Sequence, residues 1–276
     1  MDNGLEDDSP VKLFVMGGGS GRKNSEHRLD HGGRWRSESE WPLARAKETP
    51  FYLGRGGALS THVPPGSIPP SKYLFNPEHP VPTVGGNISS GQPVMVAGGF
   101  DQRESEEFFG SEEPFLPLAS RPDVLVFQTK PLTGDTEITG PVSVKLWISS
   151  TAVDTDFTAK LIDAYPASAD YPEGYALNLT DGILRVKFRD SWEKPESMVP
   201  GNVYQIEVGL LPISNIFMKG HRIRLDLSSS NFPRFDVNGN TGENPGTSAI
   251  KMAAVNCVYH DEARPSYVLL PVVSDI

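Results

Sequence analysis

The chain has 276 residues, of which 37% are hydrophobic and 9% aromatic, and its formal net charge is −10. This length and composition suit a folded protein with a sizeable core and exclude wholesale disorder. The negative charge argues against nucleic acid or an anionic membrane as a partner, because phosphate groups need a basic surface. The 27 glycines and 25 prolines favour an all-β fold with long loops over a helical one.

Cys257 is the single cysteine, so an internal disulfide and a cysteine-rich metal site are both excluded. Its apolar neighbours indicate a small buried hydrophobe rather than a reactive thiol. The sequence has no apolar run of membrane-spanning length, and the acidic segment Met1–Ser9 does not resemble a signal peptide. We therefore expect a cytoplasmic protein with no membrane partner, no metal and no cofactor.

The first third of the chain predicts one strand and a series of loops. Val11–Met16 is a short apolar run typical of a buried strand in a parallel sheet, but no second unit of that kind follows it. Gly17–Gly33 is interpreted as a flexible, charged surface loop. Trp35 and Trp41 are large groups that we expect to anchor this region against a neighbour. The stretch Gly54–Gly99, rich in glycine and proline, is predicted to wrap over an adjacent surface.

From Asp123 onward the sequence alternates between apolar and polar residues in short segments. Val142–Ser149 and Phe157–Tyr165 predict two strands, joined by a polar turn. Asp181-Gly182 lies between two further strand patterns and predicts a hairpin turn there. Ile223, Leu225 and Leu227 alternate with charged residues in the same way. About eight strands with turns at this spacing indicate a two-sheet sandwich or jelly roll.

Several strings in this order carry a family resemblance: PVKLFVMG, WRSESEWP, DTDFTAKL, GHRIRLDLSSSNFP, NGNTG and YHDEARPSYVLLPV. Together they resemble the C-terminal part of the CocE/NonD serine hydrolases, the group of acyl esterases and Xaa-Pro dipeptidyl-peptidases. The resemblance runs from about Pro10 to Val273 and leaves only Gly17–Gly33 as an apparent insertion.

The resemblance implies a non-catalytic jelly-roll (galactose-binding-like) β-sandwich that packs on an α/β-hydrolase domain. Residues 1–50 would be the tail of the hydrolase domain and a linker, with Val11–Met16 as its last strand, and 51–276 would form the sandwich. The family's Ser-Asp-His triad would lie upstream of Met1, so the resemblance assigns no catalytic residue to this chain. The parent would cleave an ester or amide, and the resemblance does not decide which.

Ser20 comes closest to a nucleophile elbow, but Arg22 stands where the motif Gly-x-Ser-x-Gly needs glycine. His27 and His31 have the spacing of a zinc pair only if they lie on a helix, which this glycine-rich loop does not favour. In a further stretch, Asp236-Val-Asn-Gly-Asn resembles a calcium loop, yet Thr247 stands where the bidentate glutamate is required. We interpret all three features as loops.

The candidate contacts to a substrate pocket or to the partner domain lie in three places. They are Phe100, Asp101 and Gln102 in the long loop, Trp35 and Trp41 near the N-terminus, and Ser230 and Asn231 after a late strand. For the last pair, capping of the sheet edge is an alternative to contact with the partner.

A rival hypothesis is a free-standing module that binds a carbohydrate or another small ligand, with Tyr171, Tyr175 and Trp192 as the aromatic platform. Oligomeric state is left open. Without its partner domain, an exposed apolar face would favour self-association of the isolated chain.

Overall fold

The computed structural model describes residues 8–88, 90–91, 94–243 and 250–274. Over these residues the chain forms thirteen strands and three short 3-10 turns, without an α-helix. The strands are β1 (Val11–Gly17), β2 (Gly33–Glu38), β3 (Ala46–Gly54), β4 (Ala58–Ser60), β5 (Ser71–Phe75), β6 (Leu125–Gln128), β7 (Thr136–Ser150), β8 (Asp156–Tyr165), β9 (Tyr175–Arg185), β10 (Tyr204–Phe217), β11 (Arg222–Ser228), β12 (Ala254–Tyr259) and β13 (Tyr267–Val273).

The strands join into one sheet with the order β2-β1-β10-β7-β13-β3-β4-β6-β11-β8-β9, while β12 pairs with both β7 and β5. Nearly all pairings are antiparallel, as expected when most connections are loops. The sheet curls until β9, at one end, lies against β10 near the other, where the Thr180 hydroxyl donates to the Leu211 carbonyl over 3.0 Å. The predicted all-β sandwich class is confirmed.

The core lies inside this curled sheet. Alternate residues of β7 point inward and are fully buried, including Val144, Leu146 and Ile148. They share one hydrophobic cluster with Phe157 and Leu161 from β8, on the far side of the curl. The period-two pattern in the sequence is therefore the pattern of core-facing side chains. Within the described residues, no helix is long and apolar enough to span a membrane.

The predicted hairpin at Asp181-Gly182 is wrong, because β9 runs without a turn from Tyr175 to Arg185. Gly182 is needed for close packing: a Cβ there would lie 2.2 Å from the carbonyl oxygen of Gly209 on β10. Asp181 is buried at 5% exposure and paired with a cation, which a turn residue does not require. Asp-Gly usually indicates a turn, but in this protein its glycine allows β9 to pack closely against β10.

The N-terminal strand β1 has two strand partners in the sheet. β1 pairs with β2 over six antiparallel residue pairs and with β10 over two parallel ones, at Met16 and Gly17. Arg36 on β2 then donates to both carboxylate oxygens of the fully buried Glu137 on β7, at 2.7 and 2.6 Å. Glu38 on β2 accepts from Arg45 and lies 2.6 Å from Arg36. The sequence did not predict this hairpin, because β2 is polar and short.

The long connection between β5 and β6 covers the outer face of β8 and β11. It carries its own small apolar cluster, with Val81, Val84, Phe108 and Leu118 buried. Gln102 from this connection also reaches β8, as described below. The predicted wrapping stretch Gly54–Gly99 is only partly of this kind: its later part belongs to this connection, whereas β4 and β5 lie in its earlier part. Cys257 on β12 is only partly buried, which corrects the expectation of a fully buried thiol.

Candidate functional site

A cleft of about 1010 Å³ lies between β9, the segment 96–100 and the loop that follows β1. Its lining includes both aromatic and polar groups: His31, Glu107, Tyr171, Tyr175, Asn178 and Asp181. Aromatic walls with a few converging polar groups are typical of small-molecule sites.

The loop 18–32, which the sequence predicts to be flexible, is folded into a hydrogen-bonded hairpin. The Gly19 amide donates to the His31 carbonyl at 3.1 Å, and the Ser20 hydroxyl donates to the Asp30 carboxylate at 2.7 Å. The tip is attached to the turn between β8 and β9, where the Lys23 amide donates to Asp170 at 3.1 Å. The hairpin therefore forms one wall of the cleft.

Phe100, Asp101 and Gln102, singled out from the sequence, lie together beside this cleft. Phe100 lines it and packs edge-on against Phe108, with ring centroids 5.2 Å apart. The Asp101 carboxylate accepts from the Ala176 amide at 2.8 Å, and burial raises the pKa of this carboxyl. Gln102 is turned inward, and its amide donates to the Val84 carbonyl at 3.0 Å. Only Phe100 of the three has its side chain positioned to touch a ligand.

Behind Gln102 lies a buried charged cluster that the sequence did not predict. The Lys160 ammonium on β8 donates to Oε1 of the Gln102 side-chain amide at 3.2 Å. Burial lowers the pKa of Lys160 to about 8, while the nearby carboxylates of Asp181 and Asp226 oppose that shift. On β11, Asp226 is held by Arg224 through two hydrogen bonds of 2.7 and 2.6 Å.

Ser230 and Asn231 belong to the same cluster. The Ser230 hydroxyl accepts from the Val81 amide at 2.9 Å, and Asn231 donates to Asp181 at 3.2 Å. Arg234 completes the cluster, with its Nε 3.0 Å from an Asp181 oxygen. These contacts attach the end of β11 to the wrapping loop. They agree with the capping alternative for this pair.

Trp35 and Trp41 lie apart from the cleft-lining residues, at the N-terminal hairpin. Trp35 is 66% exposed and Trp41 is 41% exposed. Trp35 meets Phe14 of β1 edge-on, at 5.4 Å between ring centroids. The pair leaves an aromatic patch on the surface.

Two histidines make contacts of the kind found in hydrolase triads. The Ser71 hydroxyl lies 2.9 Å from Nε2 of His260, but Nδ1 of that ring has no hydrogen-bond partner. His221 Nδ1 lies 2.8 Å from the Asp163 carboxylate. In the part of the chain that the structure describes, no serine, histidine and carboxylate are joined in one hydrogen-bonded series.

The asparagines of the calcium-like stretch serve as structural hydrogen-bond donors. Asn238 donates to Asp154 at 3.1 Å and to Asp156 at 2.7 Å, while Asn240 donates to the Met252 carbonyl at 2.6 Å. Thr247 lies outside the described residues. Among those described, no group of three or more metal-ligating His, Cys, Asp or Glu side chains is found.

The curled all-β fold, the order of the sequence motifs and the lack of a nucleophile elbow in the sequence together indicate the class of protein. Residues 3–269 match the family model of the X-Pro dipeptidyl-peptidase C-terminal non-catalytic domain, and the chain belongs to that family. Its resemblance to the CocE/NonD hydrolases is thereby confirmed.

The individual proteins that this chain matches are longer than the chain itself. The chain is 37% identical over 273 residues to the cocaine esterase of Rhodococcus sp. (strain MB1 Bresler), covering 95% of this chain and 42% of that protein. An α-amino acid ester hydrolase matches with a TM-score of 0.72 and 30% identity, over 87% of this chain and 39% of that one. An aminopeptidase from a marine sediment archaeon, Thaumarchaeota archaeon, matches with the same TM-score and 26% identity, over 87% and 39% of the two chains. The chain thus spans less than half the length of these relatives.

Proposed function

We propose that this chain is the non-catalytic jelly-roll portion of a serine hydrolase, where it stabilises an α/β-hydrolase catalytic domain and walls one side of its active site. The parent protein would hydrolyse an ester or amide with a Ser-Asp-His triad that lies outside this chain. Family membership and the greater length of the relatives support this proposal. A cytoplasmic location and a domain boundary near residue 50 are further parts of it.

The observation that carries the proposal is the surface of the N-terminal hairpin. Phe14 is 39% exposed and Trp35 66%, although both are large aromatic groups. Beyond its two pairs with β10, the edge of β1 away from β2 has no strand partner among the described residues. Aromatic residues are enriched at interfaces, and an open strand edge can pair with another chain, so this surface suits contact with a partner domain.

The proposed wall is the loop that ends at Phe100. The amides and carbonyls of Gly86 and Gly98 exchange two hydrogen bonds of 2.8 Å, which closes the loop at its base. A Cβ on Gly85 would lie 2.4 Å from the Gly98 carbonyl oxygen, so the base admits no side chain there. A loop held in this way can present Phe100 to a neighbouring pocket without large rearrangement.

The test is a chimera. The part of the Rhodococcus cocaine esterase outside the matched region is joined to this chain, and hydrolysis of p-nitrophenyl acetate is measured. We expect the chimera to hydrolyse the ester, and the double variant Phe14→Ser, Trp35→Ser to lose most of that activity. The matched control is Trp192→Ala, a 76% exposed tryptophan that lies outside the N-terminal hairpin.

Full activity in the double variant would contradict the proposed interface. The isolated chain is expected to leave the same ester intact. Robust hydrolysis by the isolated chain, abolished by Ser20→Ala, would contradict the non-catalytic assignment.

A further inference from the structure

The wrapping loop, which is the connection 76–124 between β5 and β6, has an apolar cluster of its own. The buried members of this cluster all belong to the loop: Val81, Val84, Phe108, Leu118 and Val124. In the described part of the chain, no residue of this cluster also belongs to the main core. The loop can therefore move away from the sheet without opening the main core.

Hydrogen bonds join the loop to the strands beneath it. The Gln102 amide donates to the Ala176 carbonyl of β9 at 3.0 Å, and the Ser228 hydroxyl of β11 donates to the Asp123 carbonyl at 2.8 Å. Such bonds are exchanged for bonds to water when a loop opens, so each contributes only about 0.5–1.5 kcal/mol to closure. An element attached in this way is typical of a unit that opens locally while the rest stays folded.

Lys160 is a charged group that the closed loop removes from water. It lies on the outer face of β8, where it is buried and borders a small cavity that Val81, Leu118 and Val124 of the loop also line. Its ammonium donates to Oε1 of Gln102 at 3.2 Å. Closing the loop therefore exchanges water around the ammonium for apolar side chains and an amide oxygen, and such burial disfavours the charged form.

The charged side chains around this site are Asp181 of β9, Arg224 and Asp226 of β11, Arg234 after β11 and Asp101 of the loop. The two carboxylates on the strands favour the charge of Lys160, whereas the two arginines oppose it. Each of these carboxylates already has an arginine: Arg224 lies 2.6 Å from Asp226, and Arg234 lies 3.0 Å from Asp181. Burial therefore outweighs their attraction and lowers the pKa of Lys160 to about 8 from 10.5.

From this arrangement we propose that the wrapping loop is a pH-sensitive cover, which opens as a unit and closes more firmly in alkaline solution because Lys160 releases its proton on closure. In the open state the ammonium returns to water, so between about pH 8 and 10.5 the open loop binds more protons than the closed one. Opening therefore becomes rarer as pH rises through this window, and below it opening is most frequent. The proposal does not depend on the role of Phe100 beside a catalytic domain.

The test is amide hydrogen exchange of the whole chain at pH 7.5 and 9.5, with each rate divided by the intrinsic rate at that pH. The reporters are the amides of Val81, Thr83 and Gln102, which donate to groups outside the loop. We expect their opening constants to fall about 20-fold between the two pH values, the factor that a pKa change from 10.5 to 8 gives. At both pH values these constants should exceed those of the β7 amides at least about tenfold.

Lys160→Met should abolish the pH dependence of loop opening. The matched control is Lys145→Met, a partly exposed lysine on β7, which should leave that dependence unchanged. The experiment on the natural sequence decides the matter even where Lys160→Met fails to fold. The proposal is overturned by opening constants that stay level or rise with pH, by a pH dependence that Lys160→Met retains, or by loop amides that exchange only as often as those of β7.

Discussion

The two faces of strands β8 and β11 are equally buried but chemically opposite. The inner face carries Phe157, Leu161 and Leu225, which pack in the main core. The outer face carries Lys160 and Asp226, which are 6% and 5% exposed beneath the wrapping loop. Burial on the inner face is driven by removing apolar surface from water, whereas on the outer face it depends on satisfied charges. Alternation of apolar and polar residues along a strand is therefore not evidence that its polar face is exposed to solvent.

The largest expected effect is on the outer face. In Asp181→Ala, the cations of Lys160 and Arg234 lose their shared carboxylate while they stay buried. Breaking a buried ion pair on one side costs about 3–5 kcal/mol. We expect a loss of that order in the free energy of unfolding, measured by urea denaturation. The exposed pair Lys145–Glu207, at 3.9 Å, is the control, and Glu207→Ala should cost less than about 1 kcal/mol.

On the inner face, Leu161→Ala should cost about 3 kcal/mol through lost burial and a residual cavity. The same urea experiment measures it. This loss should change little between pH 7 and pH 10, because no titratable group lies in the deleted contact. A strong pH dependence of the loss would mean that the two faces are coupled rather than independent.

The dependence of unfolding free energy on pH distinguishes the charged outer face from the apolar inner face. Because burial lowers the pKa of Lys160 to about 8 from 10.5, the unfolded chain binds more protons than the folded one between these values. Stability from this group therefore rises as pH increases from about 8 to 10.5, by on the order of 1–3 kcal/mol. Lys160→Met should abolish that rise. If the difference in unfolding free energy between wild type and variant stayed constant over this pH range, the conclusion that burial lowers the pKa of Lys160 would be wrong.

The smallest effect on stability is expected at the N-terminal hairpin. Trp35 is 66% exposed, so Trp35→Ala should change the free energy of unfolding by less than about 0.5 kcal/mol. Thermal unfolding of the isolated chain measures this. A loss of several degrees in Tm would show that the ring supports the fold itself and is not reserved for a partner.

The sequence predicted most core strands because their apolar residues repeat with period two, as in β7, β8 and β11. It missed β2, which is short and largely polar, and β5, which has five residues within a stretch rich in glycine and proline, so pairing rather than pattern defines them. For the candidate site, Phe100 and Gln102 were singled out by their place in the long loop, and Asn231 by its place in a polar run after a late strand. Lys160 was not, because a lysine between alanine and leucine on an alternating strand looks the same whether water or a loop covers it.

The attachment of the wrapping loop to β9 has a consequence for the behaviour of the protein in concentrated solution. A strand at the end of a sheet presents unpaired backbone groups to which another chain can add, the usual start of fibrous aggregates. Here the Gln102 amide donates to the Ala176 carbonyl of β9 at 3.0 Å, and the Asp101 carboxylate accepts from the Ala176 amide at 2.8 Å. The loop that shields the buried charges therefore also occupies backbone groups of the terminal strand to which a second molecule would add.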